Sequence, residues 1–288
     1  MTNILDALKS RRIFFDGAMG TELQKRGLSQ DPALLNLTSG DAICEIHREY
    51  LAAGADVITA NTFGAYSHKH ATAAQMIEAA LAYGRTALEG HPDKWLALDL
   101  GPTGLVLEPY GDTTPEECYK IFEEAANQGA ACGADLILIE TMMDLAELEL
   151  AVKAAKETGL PIFATMSFNP SGRTMMGNSI QDMATALEEL GVSALGMNCG
   201  FGPDVYVQLG AELSGITSLP IMIQPNAGMP LPAEPNPARP GAFLPARYSL
   251  TAEDFAKSMA GMTAQIMGGC CGTSPAHIAA LVNLRRLA

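Results

Sequence analysis

The sequence predicts a single (β/α)8 barrel, and three observations support this fold class. Eight short apolar segments recur along the 288 residues, and near-continuous apolar runs are typical of buried parallel strands. Helical patterns lie between most of these segments, as expected when helices join parallel strands. No shift in composition divides the chain, so we expect one domain over residues 1–288.

The predicted strands and helices alternate along the chain. The strands cover residues 13–15, 56–59, 95–98, 135–139, 161–166, 194–197, 221–224 and 264–267. Thr114–Glu117 has the form of a capping box with proline at the first helical position, which predicts a helix running towards Ala131. Leu145 and Leu148 share the apolar face of a second helix, and Thr251 precedes a third.

The composition excludes several classes of function. A net charge of -14 and a pI near 4.7 argue against binding to nucleic acid or to an anionic membrane, because both need basic patches. No apolar run approaches the roughly 20 residues needed to span a bilayer, and the first residues lack the form of a secretion signal. Six cysteines are too few for a disulfide scaffold. We therefore expect a cytoplasmic protein with reduced thiols.

Two adjacent cysteines, Cys270 and Cys271, follow the last predicted strand. Neighbouring side chains in a strand point to opposite faces, but the three glycines around this pair should let both thiols turn towards one point. Thr273 or Ser274 can cap the next helix, whose positive end would favour ionised thiols. Inert packing, a strained disulfide and a phosphate-binding loop are the alternatives.

Cys199 is the candidate for a third thiol ligand, because it follows the sixth predicted strand. In a barrel of this type the carboxyl ends of all strands meet at one mouth. Cys199 would therefore converge there with Cys270 and Cys271, and thiolates are ligands that zinc favours. The other three cysteines lie in segments with helical patterning, where we expect them to pack as small apolar residues.

Two carboxylates also lie at predicted strand ends, Asp16 after the first strand and Glu140 after the fourth. They could hold the ammonium group of an amino-acid substrate. The structural alternatives are an N-cap or turn residue for Asp16 and a rim ion pair for Glu140. Backbone amides around Gly17, Gly20 and Thr21 could hold the substrate carboxylate. No lysine lies at the carboxyl end of a strand, which argues against Schiff-base chemistry.

Zinc on three thiolates suits one type of reaction in particular. The thiolates quench much of the Lewis acidity that activates water, but such zinc can still bind a fourth thiol and promote loss of its proton. A free thiol has a pKa of about 8.5, so only a small fraction is thiolate at neutral pH. The expected reaction is therefore alkyl transfer to a substrate thiol.

A series of motifs in this chain resembles the homocysteine S-methyltransferase family. They are Asp16-Gly17-Ala18-Met19-Gly20-Thr21-Glu22, Asn61-Thr62-Phe63, Gly101-Pro102-Thr103, Asn198-Cys199, Pro225-Asn226-Ala227-Gly228 and Gly269-Cys270-Cys271-Gly272-Thr273. The resemblance spans essentially the whole chain and is strongest to the homocysteine-binding module of cobalamin-dependent methionine synthase.

The resemblance implies both an activity and a set of ligands. Homocysteine would be activated as a zinc-bound thiolate and methylated to methionine. The zinc would lie on the three cysteines at positions 199, 270 and 271. Asp16 and Glu140 would bind the amino group of homocysteine, and Asn226 would fill the fourth zinc position when substrate is absent.

The methyl donor remains open at this stage. No Asp-x-His-x-x-Gly cobalamin signature occurs in the chain, but the module that its motifs most resemble takes its methyl group from methylcobalamin. The resemblance therefore implies free methylcobalamin or a separate methyl-corrinoid protein as donor, with S-methylmethionine or betaine as the alternative. A long proline-rich loop is predicted at about 228–250, where it could form part of a docking rim. Two interpretations of other classes are a sugar-phosphate lyase or isomerase, and a non-catalytic corrinoid-protein partner or zinc-holding module.

Overall fold

Eight parallel strands and eleven helices form the part of the chain that the computed structural model describes, residues 3–237 and 243–286. The strands are β1 (Ile13–Phe14), β2 (Val57–Thr59), β3 (Trp95–Leu100), β4 (Leu136–Met142), β5 (Ile162–Met166), β6 (Ala194–Asn198), β7 (Ile221–Gln224) and β8 (Ile266–Met267). The helices are α1 (Ile4–Ser10), α2 (Met19–Lys25), α3 (Pro32–Leu35), α4 (Gly40–Ala52), α5 (Ala73–Ala87), α6 (Pro115–Ala131), α7 (Leu145–Lys156), α8 (Ile180–Leu190), α9 (Pro203–Ser214), α10 (Ala252–Met259) and α11 (Pro275–Arg286).

The strands pair in the order β1-β8-β7-β6-β5-β4-β3-β2, all in parallel. A bridge between Phe15 and Val57 joins the two ends of this sheet, so the strands wind into a barrel. Each strand leads into a helix, with α2 and α3 lying in the connection from β1 to α4. The predicted (β/α)8 barrel is confirmed, with strand boundaries shifted by a few residues.

The predicted capping box is present at the start of α6. The Thr114 hydroxyl accepts a hydrogen bond from the Glu117 amide at 3.2 Å, and the Glu117 carboxylate accepts one from the Thr114 amide at 2.9 Å. These two bonds satisfy backbone donors that a helix start otherwise leaves free. The helix runs from Pro115 to Ala131, as the sequence predicts.

Alternation along the strands divides the barrel interior into an apolar part and a polar part. Apolar residues such as Phe15, Ala97, Leu138 and Phe163 fill the lower interior, and α1 packs across its amino-terminal end. The next inward positions towards the mouth carry polar side chains, which we call the polar layer: Thr59, Asp99, Glu140, Thr165, Asn198 and Gln224. The side chains of the polar layer therefore lie directly above an apolar core.

The predicted proline-rich loop leaves the barrel between β7 and α10. Residues 238–242 of this loop lie outside the described residues. The flanking segments pair antiparallel, with bridges from Pro230 to Tyr248 and from Pro235 to Phe243, and we call residues 229–249 the proline-rich arm. Prolines have no amide hydrogen and interrupt strand periodicity, so the sequence pattern gave no sign of this pairing.

Within residues 3–237 and 243–286, no helix combines the length and the apolar character that crossing a bilayer requires.

Candidate metal and substrate site

The three predicted thiols lie together at the barrel mouth. Cys199 immediately follows β6, and Cys270 and Cys271 follow β8. The Sγ atoms of Cys199 and Cys271 are 3.8 Å apart, and all three sulfur atoms lie within 4.8 Å of one another. A metal ion bound between three sulfur atoms needs them at this kind of separation.

The loop after β7 holds both cysteine segments in place. The amide of Cys270 donates to the Pro225 carbonyl at 2.9 Å, and the amide of Ala227 donates to the Cys271 carbonyl at 3.0 Å. The amide of Cys199 donates to the Gln224 carbonyl at 3.0 Å. Three separate stretches of chain are thus fixed to one another by backbone hydrogen bonds, independently of any metal.

The glycines beside the cysteine pair serve two different purposes. Gly272 has a φ of 80°, in the left-handed region that favours glycine. Gly269 is not in that region, but a Cβ there would lie 2.5 Å from the Thr273 side chain. The expectation that unusual backbone angles at all three glycines orient the thiols therefore holds for Gly272 alone, whereas close packing disfavours a side chain at Gly268 and Gly269.

Backbone strain is concentrated at the site. Among the described residues, Cys199 (φ 60°) and Thr141 (φ 62°) are the non-glycine residues with positive φ. This conformation costs an L-residue of order 1–3 kcal/mol and persists only where the surroundings impose it. For Cys199 it turns the side chain out of the strand direction, towards the pair after β8.

Hydrogen bonds among the thiols make them electronically unequal. The Sγ atom of Cys199 lies within hydrogen-bonding distance of Sγ of Cys271, and hydrogen bonds with the Cys199 and Cys270 side chains lower the pKa of Cys271. The Tyr248 hydroxyl of the proline-rich arm also donates to Cys271. The pKa of Cys270 is raised by its hydrogen bonds with Cys199 and Cys271 and by burial.

Asn226 supplies a further group with no partner. Its Oδ1 atom is buried without a hydrogen bond among the described residues. Asn226 stands between Pro225 and Ala227, the two residues whose backbones bind the cysteine pair. A buried amide oxygen without a partner is costly. Its place beside three thiols fits a metal site with sulfur and oxygen ligands.

Asp16 is buried at the end of the first strand, as predicted. Its carboxylate accepts two hydrogen bonds from Thr59, from the amide at 2.7 Å and from the hydroxyl at 2.8 Å. Burial raises the pKa of Asp16 to about 7, and the bonds from Thr59 offset only part of this effect. The group is therefore more than a turn residue, because a surface turn would leave it solvated.

Glu140 projects from the polar layer and is held by Asn198. The Asn198 amide nitrogen donates to Glu140 Oε2 at 3.1 Å and to the Thr141 hydroxyl at 2.8 Å. Its oxygen accepts from the Thr141 amide at 2.7 Å and the Thr165 hydroxyl at 2.8 Å. Burial, with the charges of Cys271 and Asp16, raises the pKa of Glu140 to about 8. Within the described residues Glu140 is therefore bonded to the amide of Asn198, and not to a basic side chain as the rim ion pair would require.

The segment from Gly17 to Thr21 continues from Asp16 into the start of α2. A Cβ at Gly17 would lie 2.5 Å from the Thr273 hydroxyl, so glycine is required there, whereas Gly20 has no such close neighbour. The Ala18 amide donates to the Thr273 hydroxyl at 3.2 Å, which ties this segment to the cysteine loop. Within the described part of the chain, the buried hydroxyl of Thr21 has no hydrogen-bond partner.

Sequence reasoning gave no specific role to three residues that the structure brings to this site. Asp99 and Asn198 belong to the polar layer, and inward alternation along their strands could have indicated both. Tyr248 reaches Cys271 from the proline-rich arm, and no local pattern pointed to it.

The geometry is that of a barrel with a thiol cluster and acidic groups at its mouth, and comparison with known proteins agrees with it. The family described as homocysteine S-methyltransferase matches residues 13–284. The chain belongs to the homocysteine S-methyltransferase family, and this membership makes it a methyltransferase by class.

Two curated relatives carry the name methionine synthase. That of Mycobacterium tuberculosis (strain ATCC 25618 / H37Rv) is 33% identical over 325 residues, covering 99% of this chain and 26% of its own length. That of Mycobacterium leprae (strain TN) is 32% identical over 305 residues, covering 96% and 24%. The chain thus spans about a quarter of the length of these relatives.

Solved structures of the homocysteine methyltransferase MmuM from Escherichia coli share the fold. The oxidized form superposes with a TM-score of 0.80 at 23% identity, covering 98% of both chains. The metallated form gives a TM-score of 0.77 at 23% identity, covering 96% of this chain and 97% of that one. At this identity the likeness supports the barrel architecture alone.

Proposed function

We propose that this protein methylates the thiol of homocysteine to form methionine, with zinc held by Cys199, Cys270 and Cys271. One observation carries the proposal: three sulfur atoms within 4.8 Å of one another at the mouth of a barrel of this family. Soft thiolate ligands select zinc among the common divalent ions. The sugar-phosphate interpretation needs no such cluster and is not compatible with the family.

The residues present fit a zinc ion. Three thiols meet the usual ligand number of a site that keeps one position open for substrate, and the unpartnered oxygen of Asn226 can occupy that position when no substrate is bound. When bound, zinc would favour loss of the proton from an incoming thiol and keep its sulfur nucleophilic.

The acidic groups orient the acceptor. Asp16 and Glu140 lie on the barrel side of the thiols, where they bind the ammonium group of homocysteine through charge-assisted hydrogen bonds. The amides around Gly17, Gly20 and Thr21 bind its carboxylate. Fixing both ends of the amino acid leaves its thiol side chain directed towards the cysteines, which supports catalysis by orientation.

In the transfer step the acceptor sulfur supplies the electron pair for the new sulfur–carbon bond. The donor keeps the electron pair of the bond to methyl that breaks, and the thiol proton has left for solvent before the step. Methyl transfer to sulfur removes no proton from carbon, so positioning and the nucleophilicity of sulfur account for the rate.

The donor proposed is methylcobalamin, free or on a separate corrinoid protein. The resemblance of the motifs to the homocysteine-binding module of cobalamin-dependent methionine synthase supports this choice, and so does the chemistry of the rim. Every exposed large apolar side chain recorded in the described ranges lies in a connection that follows a strand, which is the mouth side of the barrel: Leu34, Leu37, Phe63, Leu105, Val106, Tyr110, Met175, Met176, Met229, Leu231, Phe243 and Leu244. A large donor needs an open mouth with such a rim.

The test compares methionine formation from homocysteine with methylcobalamin, a methyl-corrinoid protein, S-methylmethionine and betaine. We expect turnover with the corrinoid donors. Turnover confined to S-methylmethionine or betaine would reverse the choice of donor. Zinc binding without turnover from any donor would favour the non-catalytic corrinoid-protein partner or zinc-holding module.

Zinc content tests the metal separately. Cys270→Ser and Cys271→Ser should each lose most of the roughly one zinc per chain expected for a site of this type. Cys132→Ser, which changes a half-buried thiol at the end of α6, should retain it. Full zinc retention in both site variants would contradict the assignment.

A further inference from the structure

The polar layer contains a third carboxylate, Asp99, which has no role in the proposed function. Asp99 lies on β3, two residues beyond Ala97, whose side chain points into the barrel. It is 6% exposed, and its Oδ1 atom is buried with no hydrogen-bond partner among the described residues. A buried carboxylate oxygen without a partner carries a large desolvation cost. This cost indicates that a donor belongs there in the working protein.

Asp99 shares one pocket with the two carboxylates already described. Burial raises the pKa of Asp99, and the charges of Glu140 and Asp16 raise it further, as expected for acidic groups that are close together. The strand register places Asp99 beside Leu138, one inward position below Glu140. The pocket is therefore acidic on three sides.

The three carboxylates differ in how much of their bonding capacity is free. Thr59 occupies both oxygens of Asp16, and Asn198 occupies one oxygen of Glu140. The unpartnered oxygen of Asp99 is therefore available as an acceptor, as is the second oxygen of Glu140. An ammonium group carries three hydrogens and accepts none, so it matches a pocket of this kind.

We infer that Asp99 is a third substrate-binding residue, whose free oxygen accepts a hydrogen bond from the ammonium group of the amino-acid acceptor. This inference rests on the proposed function, because it takes the acceptor to be an amino acid with a thiol. It makes Asp99 a specificity-determining residue that selects acceptors with a free amino group. A metal is a poorer candidate for this oxygen, because the soft ligands lie on the thiol side of the mouth.

The experiment measures calorimetric affinity of the zinc-loaded protein for two ligands, L-homocysteine and 4-mercaptobutyrate, which lacks only the amino group. In Asp99→Asn, affinity for homocysteine should fall by at least about tenfold, as expected for loss of a charge-assisted bond. Affinity for 4-mercaptobutyrate should stay equal or increase. Asp144→Asn removes the same charge from the N-cap of α7, outside the pocket, and should change neither affinity, since asparagine also caps helices.

Equal losses for both ligands in Asp99→Asn, or no loss for either, would overturn the inference. If wild-type protein binds neither ligand, the proposed function itself fails and this inference fails with it. Thermal unfolding of each variant checks folding. Should Asp99→Asn not fold, Asp99→Ser gives the same comparison with a smaller side chain, and the same ratio of affinities decides the result.

Discussion

His47 provides a sharp test of how burial of an ionisable side chain makes the free energy of unfolding depend on pH. It lies on α4 and is fully buried, and neither of its ring nitrogens has a hydrogen-bond partner among the described residues. Burial lowers the pKa of His47 from 6.5 to about 4, because a charged imidazole cannot be solvated there. Between these two values the unfolded chain binds more protons than the folded one. The free energy of unfolding must therefore decrease as the pH falls from 6.5 towards 4.

The size of the effect follows from the two pKa values. At pH 5.5 the unfolded state gains about 1.4 kcal/mol from protonation of His47 that the folded state does not share. Below pH 4 the full difference approaches about 3.4 kcal/mol. In His47→Leu this contribution disappears, because leucine has no proton to bind and fills a similar volume.

The assay is urea unfolding at pH 5.5 and pH 8 with a chelator present, so that metal binding adds no pH dependence. Wild-type protein should lose about 1.4 kcal/mol more than His47→Leu between the two pH values. His91→Gln, at an exposed position after α5, should behave like wild type. Equal pH dependence in wild type and His47→Leu would refute the reasoning, and would mean that the buried ring has a proton partner.

Four other substitutions have defined outcomes. Asp16→Asn and Glu140→Gln should each weaken homocysteine affinity by roughly 10- to 150-fold with zinc content unchanged, and unchanged affinity in calorimetry would favour a structural role. Asn198→Ala should lower the free energy of unfolding by about 2–4 kcal/mol, since it leaves buried partners of four hydrogen bonds unpaired; a loss below about 1 kcal/mol in urea unfolding would contradict this. Gly196→Ala should destabilise the barrel by about 3 kcal/mol or prevent folding, because the new Cβ would lie 1.8 Å from the Met222 carbonyl oxygen; a wild-type melting curve would exclude the clash.

The fold and the thiol cluster could be predicted from sequence for the same physical reason. Buried parallel strands need continuous apolar runs, and the barrel brings all their carboxyl ends to one mouth. Given eight such runs, Cys199 and Cys270 must lie at the same mouth of the barrel, although 71 positions separate them in the chain. Topology therefore supplied the long-range proximity that local patterns cannot.

Other features of the site depend on geometry that local patterns do not encode. The pairing of β4 with β5 is irregular between Ile139 and Met142, and it is within this irregular stretch that Thr141 bonds to Asn198. The contact of Tyr248 with Cys271 depends on the path of the proline-rich arm. The antiparallel pairing within this arm could not be predicted, because its prolines interrupt the strand periodicity. Local sequence identifies which residues can react, whereas these contacts are set by register and by loop path.

The residues proposed to bind the acceptor lie deeper in the barrel than the residues that would meet a methyl donor. The groups proposed for homocysteine lie on strand ends or on loops bonded directly to them, where the register of the barrel fixes their positions. The groups that would meet a donor lie on long connections, where substitutions are tolerated without loss of the barrel. Tyr248 is the exception, since it belongs to the proline-rich arm and yet bonds to Cys271. Changes elsewhere in the arm should therefore alter donor choice while sparing acceptor affinity, whereas a change at Tyr248 reaches the sulfur site itself.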